Sequence, residues 1–203
     1  MSIVCNIAND IRQDCKESVA GGSKNKIILL PLKYVQSYDL NTSNHLEVKD
    51  IVRFSDGDSP AEKWIGKAVI IEGEQSKLLK PKKEMIRDEF GVKYNHELAF
   101  NVVGINATKE KELEMLDKDR VVVIIEQNYH GIESSNPKAR FKMYGKDVGL
   151  IVTQRLDEDN KNIDAIILKS EEGALEPNPP CFFFDTDLAT TITNRDALLT
   201  VNK

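Results

Sequence analysis

Three histidines and three cysteines are the side chains best suited to chemistry near neutral pH. The cysteines, Cys5, Cys15 and Cys181, form no CxxC pair, and no histidine lies close to any of them in sequence. A structural zinc site takes about four ligands at close spacing, so none is expected. An odd number of cysteines suits three reduced thiols better than a disulfide framework. Cys15 has no local histidine or asparagine signature and reads as a small apolar residue rather than a nucleophile. His45 and His130 fall in expected turns or loops. His96 falls on the apolar side of an expected strand, where a packed imidazole is the ordinary outcome.

No GxSxG, HExxH, P-loop or GxGxxG sequence occurs. Carboxylates are plentiful, yet no pair stands out as general acid and base. Asp56 and Asp58 lie in "SDGDSP", which is turn chemistry first. Asp157 and Asp159 match the opening spacing of a calcium loop, but the central glycine and distal glutamate are missing, so "DEDNKN" reads as a hairpin turn. Neither catalysis nor a cofactor or metal is expected.

Lys77, Lys80, Lys82, Lys83 and Arg87 form the one basic cluster, with Pro81 among them. No aromatic residues interleave, so base stacking is unsupported. Lysine and proline together suit an exposed edge strand guarded against stray pairing. The other reading is contact with nucleic acid or an acidic partner.

The elements that would carry these residues are mostly strands. "KIILLPL" is a compact apolar strand ended by Pro31, and "KYVQSYDL" and "LEVKDIVRF" alternate. "KWIGKAVIIEG" is a further strand. Residues 88 to 104 read as one long strand, with Val92, Tyr94, His96, Leu98, Phe100 and Val102 on one face. A short charged helix near 108–117 follows, carrying Leu113 and Leu116. "RVVVIIE" has no polar interruption until its end and suits a central strand covered on both faces. Three more strands, "ARFKMYG", "VGLIVTQRL" and "NIDAIILKSE", come after a polar loop at 128–138.

The ends differ from the middle. Ile3, Ile7, Ile11, Cys15 and Val19 make an apolar stripe at helical spacing, closed by Gly21 and Gly22. This helix docks either on the chain's own sheet or on a neighbouring copy. After Ser170, three prolines and a glycine break regular structure, and a threonine-rich tail follows "CFFFD". Phe182, Phe183 and Phe184 either close the chain's own core or plug into a neighbour. The organisation read here is an N-terminal helix (1–22), a β-rich body (23–171) and a C-terminal arm (172–203). The candidate inter-subunit contacts are Ile7, Ile11, Cys15, Phe182, Phe183 and Phe184.

The chain has 203 residues, 40% of them apolar and 30% charged, which suits one globular body with a real core. Its net charge of −5 argues against a dedicated nucleic-acid binder. No apolar run is long enough for a membrane span, and the start lacks the basic and apolar regions of a signal peptide. The fold class expected is α+β, mainly β: a sandwich or small barrel with one flanking helix.

The stretch "GVKYNHELAFNVVGINATKEKELEMLDKDRVVVIIE", followed by "ARFKMYGKDVGLIV", resembles the tail-tube and tail-completion proteins of bacteriophages. The opening "CNIANDIRQDCKESVAGGSKNKIILLP" resembles virion proteins from phages of the Bacteroidales, including crAss-like phages. The resemblance implies a structural subunit of a tail or head–tail connector, in a sixfold or twelvefold ring around a DNA channel. Its partners would be copies of itself, neighbouring tail or connector proteins and transiting viral DNA, with no membrane. It would be made in the bacterial host cytoplasm and end in the virion tail. The family carries no catalytic signature to transfer. The alternative is a non-enzymatic β-barrel binding or adaptor module.

Overall fold

The computed structural model describes residues 23–54, 68–72, 80–89, 91–103, 105–127, 140–158 and 163–199. The expected N-terminal helix with Ile7, Ile11 and Cys15 lies outside them, as do Trp64, Lys77 and the loop with His130. The strands are β1 (Ser23–Pro31), β2 (Val35–Asn41), β3 (Asn44–Arg53), β4 (Val69–Glu72), β5 (Lys80–Asp88), β6 (Gly91–Val103), β7 (Val121–Gln127), β8 (Phe141–Tyr144), β9 (Leu150–Glu158), β10 (Ile163–Ser170) and β11 (Cys181–Phe183). The helices are α1 (Ala107–Leu116) and α2 (Leu188–Ala197). The chain is α+β and mainly β, as expected.

The two most apolar strands, β1 and β7, pair antiparallel from Ile27↔Ile125 to Pro31↔Val121. Over this paired stretch both are covered on both faces, because side chains alternate across a strand and every position from Ile27 to Pro31 and from Val121 to Ile125 is apolar. Val121, Val123 and Ile125 enter one core with Ile27 and Leu29, and Val122 and Ile124 enter a second with Ile28 and Leu30.

The strand path runs β2-β3-β11-β8-β7-β9-β10-β6-β5, with β1 and β4 branching from β7. It turns on itself between β8 and β9. Only Val121↔Leu150 joins β7 to β9, whereas β9, β10, β6 and β5 pair through long registers. Leu98, Phe100, Val102, Ile166 and Leu168 from that half pack on β1 and β7 to form the first core. Gly145 (φ 70°) makes the turn possible. A Cβ there would sit 2.9 Å from both Leu150 Cγ and the Val121 carbonyl. The described strands β2, β4 and β5 each pair on one side only, so among the described residues the sheet does not close into a barrel.

Helix α1 plugs the first core with Leu113 and Leu116. Asn106 caps it, its side-chain oxygen accepting from the Thr108 and Lys109 N–H groups. Arg155 of β9 ties it to the sheet, reaching Glu110, Asp117 at 3.4 Å and the buried Asp164 at 2.6 Å.

Several expectations are corrected. The strand drawn from residue 88 begins at Gly91, because Asp88 ends β5 and Gly91 (φ 123°) closes a tight hairpin with it. His45 lies in β3 rather than in a turn. The largest correction is to the arm at 172–203. Strand β11 fills the slot between β3 and β8, parallel to the first and antiparallel to the second. Phe183 is fully buried and Phe184 nearly so. Phe183 joins the second core with Cys181 and Leu198. A buried phenylalanine contributes roughly 1.5–3 kcal/mol, so this strand belongs to the body. Phe183 and Phe184 are therefore not inter-subunit contacts, while Phe182 is half-buried on the opposite side of β11.

The tail after Phe184 is helix α2. Asp187 caps it by accepting from the Thr190 N–H at 2.8 Å. Its threonine content obscured it, yet Leu188, Ile192 and Leu199 share a face and pack on the second core. The Arg53 guanidinium of β3 donates to the Ala197 and Leu198 carbonyls, a cation against the C-terminal end of the helix.

Candidate functional site

The first core ends at a mouth where β6 faces β8. His96 of β6 meets Tyr144 of β8 edge to face, with ring centroids 5.6 Å apart. Lys83 of β5 lies directly across from His96 and so on the same face. Lys142 shares the inner face of β8 with Tyr144 and pairs across to Phe182. Its ammonium sits 5.7 Å from the Tyr144 ring and 5.9 Å from the Phe182 ring. Lys83 thus flanks His96 from the neighbouring strand, and Lys142 lies over the Tyr144 and Phe182 rings. Burial and the neighbouring Lys83 both lower the Lys142 pKa. Among the described residues neither lysine has an ion pair. Glu47, two strands from Lys142 on the same face, is engaged by the Asn41 and Asn44 amides.

His96 is 2% exposed. Its Nδ1 accepts from the Gly145 N–H at 3.2 Å, which assigns the proton of the neutral ring to Nε2. Burial above all lowers its pKa to about 4; Lys142 and Lys83 push the same way, and the Asn178 backbone and Asp147 push back. Although the Asn178 backbone is near enough to act on the ring, Nε2 has no partner within hydrogen-bond geometry.

Beside the mouth, the β8–β9 turn is pinned by Glu176. This fully buried carboxylate accepts from the N–H groups of Asp147, Val148 and Gly149 at 3.0, 2.9 and 3.1 Å. Its own backbone exchanges two hydrogen bonds with Tyr94. Burial raises the Glu176 pKa, and the N–H donors oppose that rise. Lys146 pairs with Asp147 at 3.1 Å, and its carbonyl accepts from the Tyr38 hydroxyl at 2.6 Å. Burial pushes the Cys181 thiol up to about 11. At neutral pH Cys181, Tyr38, Tyr144 and His96 all stay uncharged, which suits a latch more than a proton-transfer site.

The residues singled out from sequence do not gather. Phe182 reaches the mouth, Phe183 and Phe184 are core, and Ile7, Ile11 and Cys15 lie outside the described residues. Among the described residues no group of metal-ligating side chains comes together. A shallow hollow of about 10 Å³ lies near Lys26, Glu126, Phe141 and Arg195, and Glu126 there is already paired with Arg140 and Arg195.

Lys142, Glu176 and Asn178 escaped the sequence reading. Lys142 had one signal, a lysine on the same face as Tyr144 in an otherwise buried strand. Glu176 had none, since a glutamate among prolines reads as loop.

The basic cluster lands where lysine and proline implied. Strand β5 is the edge of the path, exposed along nearly all its nine residues. Lys80, Lys82, Lys83 and Arg87 lie on it with Glu84, Asp88 and the 57%-exposed Met85. The opposite edge is different. Asp39 of β2 stands across from Asp50 of β3; burial above all raises the Asp50 pKa, the Ile51 N–H and Arg53 oppose the rise, and Asp39 and Asp185 add to it.

Comparison of the chain with protein-family models, curated proteins and solved structures finds no match. No helix of the described residues is long and apolar enough to cross a membrane.

Proposed function

We propose that this chain is a structural subunit that joins copies of itself head to tail into a ring, as a bacteriophage tail or head–tail connector protein does. One observation carries the reading: the strand path ends in a basic edge, β5, and begins beside an acidic cluster, Asp39, Asp50 and Asp185. Lysines disfavour pairing of β5 with another β5, since like charges would face each other. They favour an acidic, non-identical edge. Unlike patches that meet head to tail generate rings when the rotation closes. The sixfold or twelvefold symmetry and the DNA channel rest on the sequence resemblance alone.

A binding module is the second reading, favoured by Lys83 and Lys142, which have no ion pair among the described residues. Solution mass with negative-stain imaging separates the two. Rings of defined copy number support the assembly role. A monomer at every concentration, with β5 amides exchanging freely with solvent, overturns it.

A further inference from the structure

We propose that the outer face of strands β9, β10 and β6 seats the N-terminal apolar stripe of a neighbouring copy. The inference rests on the reading that copies of this chain associate, and it names a contact separate from the charged edges.

Alternation defines the face. Leu98, Phe100 and Val102 of β6 and Ile166 and Leu168 of β10 enter the first core. The residues between them point the opposite way. On that side Ile167 stands across from Ala99, and Ala165 lies between Asn101 and Leu156. Ile163, Ala165 and Ile167 are half-buried, and Leu156 is 53% exposed. None of these side chains belongs to either core, and both described helices pack on the cores instead. An antiparallel sheet with one wet face carries polar residues there. Strand β10 departs from that rule, with Ile163, Ala165 and Ile167 outward before Lys169. Glu97 of β6 and Lys80, Lys82 and Glu84 of β5 bound the apolar patch.

The chain itself carries a segment that fits. Ile3, Ile7, Ile11, Cys15 and Val19 recur every four residues, the spacing of a helix with one apolar stripe. Wound as a helix, that stripe is about 24 Å long. Strand β10 has eight residues and is about 27 Å long. A stripe of this kind needs an apolar floor to cover it. Reach decides which copy supplies it. Ser23 pairs with Gln127 of β7, in the sheet on the far side of the first core. Stacked sheets lie about 10 Å apart, and a helix on the outer face puts its axis roughly another 10 Å out. Ala20, Gly21 and Gly22 alone separate Val19 from Ser23, and that link spans at most about 14 Å. The stripe of the same chain therefore falls short, and that of a neighbour does not.

The test uses the full-length chain with Cys5→Ser, which leaves Cys15 as the one thiol of the N-terminal segment; Cys181 is buried. Ala99→Cys or Ala165→Cys then places a second thiol on the face. Mild oxidation should link the two between copies, giving covalent multimers on a non-reducing gel, and Cys5→Ser alone sets the background. In the parent, Ile7→Asp with Ile11→Asp should weaken association at least about tenfold in sedimentation, because each buried isoleucine is worth about a decade or more. Leu156→Glu should do the same, with the urea midpoint unchanged in both variants. A disulfide closed within one chain overturns the neighbour as donor. Copies that associate while neither cysteine pair links, or while the Asp variant associates like the parent, overturn the docking and leave the joint between edges standing. A chain that is monomeric at every concentration overturns both.

Discussion

His96 accepts the Gly145 N–H at Nδ1, 3.2 Å away, and this bond joins β6 to the turn that reverses the sheet. The bond requires an unprotonated Nδ1. Burial lowers the His96 pKa from 6.5 to about 4. The unfolded chain therefore binds the extra proton first as pH falls. The stabilisation is full above pH 6.5 and is lost as pH drops towards 4, by up to about 3 kcal/mol. Glu176 and Asp50, whose pKa values are raised, act in the opposite direction. Urea unfolding of the parent and of His96→Gln from pH 7 to 4.5 isolates the histidine. The gap between them should narrow on acidification, and a constant gap refutes the assignment.

Glu176 should matter through its oxygens rather than its size. Glu176→Ala leaves three turn N–H groups without their acceptor and should cost about 3 kcal/mol. Glu176→Gln keeps one acceptor and should cost less. Denaturant midpoints with an unchanged slope would check this.

Phe182 and Phe183 are adjacent in sequence and opposite in environment. Phe183→Ala opens a cavity in the second core and should cost about 3–5 kcal/mol. Phe182→Ala should cost far less and should remove one of the two rings beside Lys142. Equal losses in thermal or urea unfolding would mean that β11 is not seated as described.

The two edges should answer to charge. Replacing Lys80 and Lys82 with Glu should abolish association of the chain with itself, and Asp39→Lys with Asp50→Lys should do the same. A mixture of the two variants should regain it, because the reversed charges meet again. Sedimentation of each variant and of the mixture reads the outcome. Association that ignores both reversals would place the joint elsewhere.

Much of the fold was legible because it rests on period and composition. The all-apolar run at 121–125 has to be a central strand, and the alternation from Val92 to Val102 has to have one buried face. Pro81 among lysines marked the edge. Illegible parts depended on pairing between distant segments. Nothing local says that Cys181–Phe183 inserts between β3 and β8, and threonines hid the stripe of Leu188 and Ile192. The mouth was unreadable for the same reason. His96 and Tyr144 are far apart in sequence, and their contact depends on the way the two halves of the sheet pack across the first core.

Strand β11 also sets the order in which the molecule can be made. It is the only link, within the described sheet, between the β2–β3 hairpin and β8. During synthesis the hairpin leaves the ribosome early and waits more than a hundred residues for its neighbour. Until residues 181–183 emerge, β3 and β8 each present an unpaired edge beside apolar side chains. Completion of the sheet is therefore a late, long-range event, and such closures are slow. A ribosome that stalls before Cys181 releases a chain with two adhesive edges, one that a chaperone or protease must meet before another chain does.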